Sequence, residues 1–427
     1  MGYRLGGVAI VAPITDDVRF DQMEVESRRE HEAVSPRRSA VELGTWNFAR
    51  FFPYSVHPRF RGQRKPRLSC ATDQLGRMSE TGYDAAAIPH PQSALLTALL
   101  RDVSRSFYLT LRVLPRPVRP QIGLAYLLAR ATDTIADTEL VPMADRVHAL
   151  QALRERIAGT RLIPVNFGAF AERQSSLGER MLLERVEEAL GVFNRFTYSD
   201  QQRIREVLST IVSGQELDLK RFHGASQKGI AALHTEAELD DYTYRVAGCV
   251  GEFWTRITRA HLFPVAPLDD AKLLHDGVRF GKGLQLVNIL RDLPRDLRQG
   301  RCYLPEESLR AIGLHPADLL DPANEPEFRA VYHSYLDKAT AHLAAGWEYT
   351  NAIPRRFIRV RLACAWPLLI GIKTVGKLRA VNILDPQLRV KASRSEVRGI
   401  IAASVLRYPW AESWRRLFPL SGPRNSS

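Results

Sequence analysis

From Ser93 onward the chain takes on a helical texture. Ala94, Leu95, Leu96, Ala98 and Leu99 begin an apolar spacing of three and four residues that continues almost to the end. That period places apolar side chains along one side of an α-helix. It predicts helices over 118–138, 178–196, 200–222, 238–263, 271–297, 328–350, 355–380 and 393–406. Period-two alternation is almost absent, and no long internal repeat is visible. The pattern therefore predicts one large all-α domain over residues 89–420. Residues 1–88 keep no period and carry Ser35-Pro36-Arg37-Arg38, Phe51-Phe52-Pro53 and Arg64-Lys65-Pro66-Arg67. Clusters of this kind punctuate loops, so 1–88 is expected to be a flexible extension and 421–427 a tail.

Within these helices the informative residues are acidic. Asp133 and Asp137 fall in Arg130-Ala131-Thr132-Asp133-Thr134-Ile135-Ala136-Asp137, and Asp292 and Asp296 in Asn288-Ile289-Leu290-Arg291-Asp292-Leu293-Pro294-Arg295-Asp296. Carboxylates four apart on a helix point the same way, and magnesium takes one or two carboxylates plus substrate phosphates. Spacing alone proves little, because with 22 aspartates roughly one such pair arises by chance. Context adds weight. Both pairs sit in helices that are apolar almost all round, where a charge needs neutralising. Arg130 and Arg291 accompany them, and either belong to a phosphate site or form buried structural ion pairs. Pro294 is expected to distort the helix before Asp296.

Composition narrows the field further. Hydrophobic residues at 45% and charged residues at 25% are ordinary globular values. The net charge of +13 is concentrated at the end of the chain: residues 355–427 hold 15 Lys and Arg against 3 Asp and Glu. A basic end suits an anionic surface, or is simply a solvated tail. Cys70, Cys249, Cys302 and Cys364 form no Cys-x-x-Cys pair, which argues against a zinc site and for a reducing compartment. No run reaches the ~18 apolar residues of a spanning helix. The expected location is cytoplasmic, with peripheral contact to the inner membrane face through the basic C-terminal region. Tyr408, Trp410, Trp414, Leu417 and Phe418, interleaved with Arg407, Arg415 and Arg416, could form that contact or pack in the core. No nucleic-acid partner is expected.

The motifs taken together resemble the squalene and phytoene synthase family across nearly everything after residue 93. Ser104-Arg105-Ser106-Phe107 looks like its opening substrate motif, and 126–137 is similar to its first aspartate-rich motif. Asp241-Tyr242-Thr243-Tyr244-Arg245-Val246-Ala247-Gly248, followed by Val250-Gly251, resembles its central helix. The stretch from Gly283-Leu284-Gln285 to Asp296, followed by Gly300-Arg301-Cys302-Tyr303-Leu304-Pro305, is similar to its second aspartate-rich motif and tail. The resemblance implies a class I isoprenoid synthase fold with a central cavity. It also implies joining of two farnesyl diphosphates head to head through presqualene diphosphate, with NADPH reduction to squalene. The alternatives are phytoene or dehydrosqualene synthesis, or arrest at presqualene diphosphate.

The same resemblance distributes roles. Asp133, Asp137, Asn288, Asp292 and Asp296 would bridge Mg2+ to diphosphate. Arg105, Arg130, Arg291 and Arg301 would hold phosphate oxygens, with Ser104, Ser106, Phe107, Tyr126 and Gln285 among the substrate contacts. Tyr242 would move a proton or stabilise a cation, and Val246, Val250 and Leu286 would line the tunnel. Cys364-Ala365-Trp366-Pro367 and the Val390-Lys391 segment resemble squalene synthases of bacterial type, which makes Lys391 and Arg394 the expected NADPH contacts. Two positions depart from that pattern: Ala136 replaces an acid, and Ser393 stands where an arginine is expected.

Overall fold

The computed structural model describes residues 98–104 and 107–419. The expected extension over 1–88 and the tail over 421–427 lie outside the described residues. The architecture is helical throughout. Short α1 (Leu100–Ser104) and α2 (Phe107–Val113) lead into α3 (Arg119–Asp137), which is buried on nearly every side. Then come α4 (Met143–Ala158), the single turn α5 (Gly168–Ala171), α6 (Leu177–Glu184), α7 (Val186–Phe193) and α8 (Tyr198–Arg221). Thr197 caps α8 by accepting the Asp200 N–H, which satisfies one of the donors a helix start leaves open.

Strand β1 (Ala231–Leu233) precedes α9 (Glu236–Thr243), a π turn (Tyr244–Gly248) and α10 (Cys249–Leu262). The long α11 (Asp270–Arg298) ends at β2 (Arg301–Pro305), which pairs with β1 in parallel, Ala231 opposite Arg301. After α12 (Glu306–Arg310), α13 (Glu325–Ala352) runs back along α11, followed by α14 (Ile358–Leu378), α15 (Arg394–Arg407) and α16 (Ala411–Arg415).

Where α10 crosses α11 the two backbones touch. A Cβ on Gly251 would stand 1.9 Å from the Gly277 carbonyl oxygen, and one on Gly281 would stand 2.1 Å from that of Ala247. Only glycine permits this approach. Gly300, at φ +83°, turns the chain out of α11 with its Cα facing the Ser226 backbone, and so directs Arg301 inward.

The prediction of helices holds, with informative differences. Helix α4 is missed because its inward face includes Arg146 beside Ala149, Leu150, Leu153 and Ile157, and these residues alternate with Arg154, Glu155 and Arg156. The expected helix over 178–196 breaks at Arg185 into α6 and α7. The expected distortion at Pro294 does not end α11, which continues to Arg298. Proline lacks the N–H that would bond the Leu290 carbonyl, and the Tyr332 hydroxyl of α13 donates to that carbonyl at 3.1 Å instead.

The C-terminal aromatics divide. Tyr408, Trp414 and Phe418 are buried, with Trp414 and Phe418 stacked on Trp347 at 5.3 and 5.7 Å between ring centroids. The Trp414 indole N–H donates to Asn351 Oδ1 at 2.8 Å. These rings complete the core over α13 and are not available to a membrane. Trp410, 65% exposed, and Leu406, 69% exposed, remain outside.

Candidate functional site

Helix α3 carries the first acidic pair inward: Arg130, Asp133 and Asp137 are 1%, 0% and 6% exposed. Arg130 is held by two carboxylates, Asp133 at 3.1 Å and Glu179 of α6. One turn earlier, Tyr126 donates to the Val103 carbonyl at 3.5 Å, and burial pushes its phenol upward. One turn later, neither oxygen of Asp137 has a hydrogen-bond partner. Burial pushes the Asp137 carboxyl well above the usual carboxylate range, against the pull of Arg130 and Arg301.

Helix α11 repeats the arrangement. Arg291 grips its neighbour Asp292 through paired N–H donors, both at 2.9 Å. Asn288 donates to the Leu284 carbonyl at 2.7 Å, and its own carbonyl oxygen is buried without a partner. The charge of Asp296, one turn past Asp292, acts on Asp218, Tyr242 and Tyr303. In each pair the first aspartate is neutralised by its own arginine, as a structural ion pair would be. The second member of each pair faces a shared interior.

That interior is organised by Arg301 on β2. Its guanidinium is 2% exposed, lies 5.1 Å over the Phe222 ring, and has two nitrogens without hydrogen-bond partners. It favours the charged forms of Asp137 on α3 and Asp218 on α8. Asp218 accepts the Tyr303 hydroxyl proton at 2.8 Å, and burial pushes its carboxyl up to about 6. Tyr303 in turn stacks on Tyr242 at 4.7 Å between centroids. Arg146 of α4 closes one side by donating to the Ala136 carbonyl at 2.8 Å.

Sequence reasoning missed Glu179, Asp218, Arg146 and the role of Tyr303. A signal for Asp218 existed: with Gln215 it occupies the inward stripe of α8 set by Ile204, Val207, Leu208 and Ile211. A carboxylate and an amide on an apolar stripe ask for a polar partner.

The other expected residues fall as follows. Ser104 is buried and its hydroxyl donates to the Leu100 carbonyl of its own helix. Arg105 and Ser106 lie outside the described residues, and Phe107 is described only as the first residue of α2. Val246, Gln285 and Leu286 are buried and Val250 is half-buried. Lys391 and Arg394 are exposed, at the approach to α15 and its first position. Their segment reaches the end of α11, where Arg389 lowers the proton affinity of Arg298, itself depressed mainly by burial. The three described cysteines are buried and free.

Among the described residues, no three carboxylate, histidine or cysteine side chains gather closely enough to hold a metal ion unaided. The donor chemistry nevertheless fits a magnesium ion completed by substrate oxygens. Asp137 and Asn288 bring hard oxygen atoms that are buried and without hydrogen-bond partners, and magnesium asks the protein for only one or two such ligands. Buried polar atoms without partners also occur on Gln215, Asp218 and Arg301. So many unsatisfied groups from α3, α8, α11 and β2 mark an interior built to receive a polar, charged ligand.

Comparison with known proteins agrees with this arrangement. The profile of the squalene/phytoene synthase family matches residues 100–396. A presqualene diphosphate synthase of Rhodopseudomonas palustris is 32% identical over 273 residues, covering 64% of this chain and 82% of that protein. A squalene synthase of Saccharomyces cerevisiae is 28% identical over 294 residues, covering 69% and 63%. In fold, the chain superposes on a complex of TcSQS with the ligand E5700 at a TM-score of 0.61, with 22% identity, covering 73% and 86%. A dehydrosqualene synthase with bound ligand gives 0.52 at 20% identity, covering 75% and 96%. Among the described residues no helix is long and apolar enough to cross a membrane. With an aspartate pair on each of α3 and α11, with Arg301 acting on Asp137 of the first, and with the family profile spanning that whole frame, the chain belongs to the squalene/phytoene synthase family of prenyltransferase-type enzymes.

Proposed function

We propose that the protein condenses two molecules of farnesyl diphosphate head to head to presqualene diphosphate. The observation that carries this reading is the set of unsatisfied buried atoms on Asp137 of α3, Asn288 of α11 and Arg301 of β2, with Arg301 acting on Asp137. Mg2+ bound there would neutralise the departing diphosphate. Asp137, Asp296 and Asn288 would hold it, with Asp133 and Asp292 steadied by Arg130 and Arg291. Arg301 supplies donors to the phosphate oxygens. Its position over Phe222 fixes the guanidinium before substrate arrives, which limits the ordering cost of binding. Val246 and Leu286 offer apolar wall to the prenyl chains, and Tyr242 meets the reacting carbons with its hydroxyl.

A second reading adds NADPH-dependent reduction to squalene. Its support is the approach of Arg389 to Arg298, which brings the basic segment carrying Lys391 to the end of α11. Lys391 and Arg394 would then contact the nucleotide phosphate. Exposed Leu406 and Trp410, beside Arg407, Arg415 and Arg416, suit contact with an anionic bilayer that receives the apolar product.

Incubation of the full chain with farnesyl diphosphate and Mg2+, with and without NADPH, tests both readings. Presqualene diphosphate without NADPH supports the first, and squalene only with NADPH supports the second. Preference for geranylgeranyl diphosphate, with phytoene as product, overturns both.

A further inference from the structure

We infer that Gln215 is a further catalytic residue, whose amide dipole stabilises the positive charge that develops on the prenyl carbons as diphosphate departs. The inference rests on the condensation proposed above. Gln215 lies on α8 and is 0% exposed, yet neither its Nε2 nor its Oε1 has a hydrogen-bond partner among the described residues. An amide left in this state destabilises the fold. Gln121 shows the ordinary alternative, since its buried amide donates to Asp200 Oδ2 at 3.2 Å. With no bond holding either end, the Gln215 amide is able to turn its oxygen toward a ligand.

The residues around Gln215 place it. Ile211, Gly214, Gln215 and Asp218 are all buried and follow the spacing of one helix face. At one end of that face, a Cβ on Gly214 would stand 3.0 Å from Arg245 Cβ and 3.6 Å from Val246 Cγ1 of the π turn. Arg245 Nη1 also donates to Ser213 Oγ at 2.8 Å. At the other end, Asp218 accepts a hydrogen bond from the Tyr303 hydroxyl at 2.8 Å, and Tyr303 stacks on Tyr242 at 4.7 Å between centroids. Gln215 therefore stands between the turn that carries Val246 and the pair of rings. Arg301, the proposed phosphate donor, lies over Phe222, just past the end of α8. At the rise of a helix, about 10 Å separates that level from Gln215 along the axis. The offset assigns Gln215 to the prenyl carbons beside Val246 and not to the phosphate oxygens at Arg301.

A polar amide against a hydrocarbon chain gains nothing in the ground state. It gains when the C–O bond of one substrate breaks, because the electron pair leaves with diphosphate and the allylic carbons keep the positive charge. The negative end of a fixed amide dipole then meets a charge that was absent before, in a site without water to compete. Oε1 forms no bond to carbon. The second substrate's double bond supplies the pair for the new C–C bond, and an amide oxygen is too weak a nucleophile to intercept the cation as a carboxylate would. The contribution is confined to the transition state, so it acts on kcat and not on substrate affinity.

The test compares the full chain with Gln215→Met, which keeps the length of the side chain and removes its dipole. With farnesyl diphosphate and Mg2+, kcat of Gln215→Met falls about tenfold or more while KM stays within about a factor of two. Its melting temperature rises, because the unpaired amide is gone. Two probes isolate the charge. Affinity for farnesyl-dimethylammonium, measured with Mg2+ and inorganic diphosphate, falls about tenfold or more in the variant. Affinity for farnesyl thiodiphosphate, which carries no positive charge at carbon, stays within about a factor of two. Gln215→Glu retains an acceptor oxygen and keeps the ammonium affinity, and it carries the test if Gln215→Met does not fold. Unchanged kcat in Gln215→Met makes the amide a structural burden and overturns the inference. A rise in KM alone, or equal loss of both probes, also overturns it. No turnover by the wild-type chain overturns the condensation and this inference together, whereas an active wild type with an unaffected Gln215→Met overturns this inference alone.

Discussion

The bond from Tyr332 to the Leu290 carbonyl stands in for the one Pro294 cannot make, and this can be measured. Tyr332→Phe removes one hydroxyl, keeps the ring and its contact with Phe328 (centroids 5.6 Å apart), and strands a carbonyl on a buried stretch of α11. An unsatisfied buried acceptor costs about 1–3 kcal/mol, so the variant melts a few degrees lower than wild type. Pro294→Ala returns an N–H to the same carbonyl. In that background the cost of Tyr332→Phe falls below about 0.5 kcal/mol, which gives a coupling of about 1–2 kcal/mol in a double-mutant cycle. Thermal melting of the four proteins decides it. An equal cost for Tyr332→Phe with and without Pro294 would falsify the substitution of one donor for the other.

Further outcomes follow from the site and from α15. Asp218, held at about 6 against a reference of 3.8, favours the folded state when protonated, so its contribution is full below about pH 4 and is lost as pH rises through 6. At about 1.4 kcal/mol per unit, Asp218→Asn therefore stabilises the protein at pH 8 by up to about 3 kcal/mol, read as a higher melting temperature there and little change at pH 4. Asp137→Asn raises the Mg2+ concentration needed for half-maximal turnover about tenfold or more, leaving the melting temperature within a few degrees. Glu396 closes the start of α15 with Ser393 and binds Lys377 at 2.7 Å and Lys373 at 3.3 Å. Lys377 above all holds its carboxyl down at about 2. Its stabilising effect is present above about pH 4.5 and lost as pH falls toward 2, and Glu396→Ala costs about 1 kcal/mol at neutral pH.

Much of the frame was legible in the sequence, because a buried helix writes its period in apolar residues. Helices α3, α8, α11 and α13 begin and end within a few residues of expectation. Helix α4 was not legible, since arginines whose stems cover apolar surface dilute its stripe. The acidic pairs were found by their setting, but their division of labour was not. Helical spacing says that Asp133 and Asp137 share a face, and cannot say that Glu179, distant in sequence, helps hold Arg130. Asp218 escaped notice for the same reason. Its significance lies in Tyr303 and Arg301, brought beside it by the turn at Gly300 and the short pairing of β1 with β2. The aromatic tail shows the reverse case, in which a pattern that suits a membrane proved to be the lid of the core around Trp347.

The crossing of α10 over α11 at Gly251 and Gly277 has a consequence for how such an enzyme can change. Two backbones in direct contact have no side chains between them to shorten, lengthen or re-pack, so the angle and spacing of this junction act as a fixed datum. Tyr242 hangs from one side of the datum and Asn288 and Asp296 from the other. Where Val246 and Leu286 wall the prenyl chains, as proposed above, adaptation to a longer or shorter chain falls to such side chains, with the junction itself held constant while the bore around it is recut.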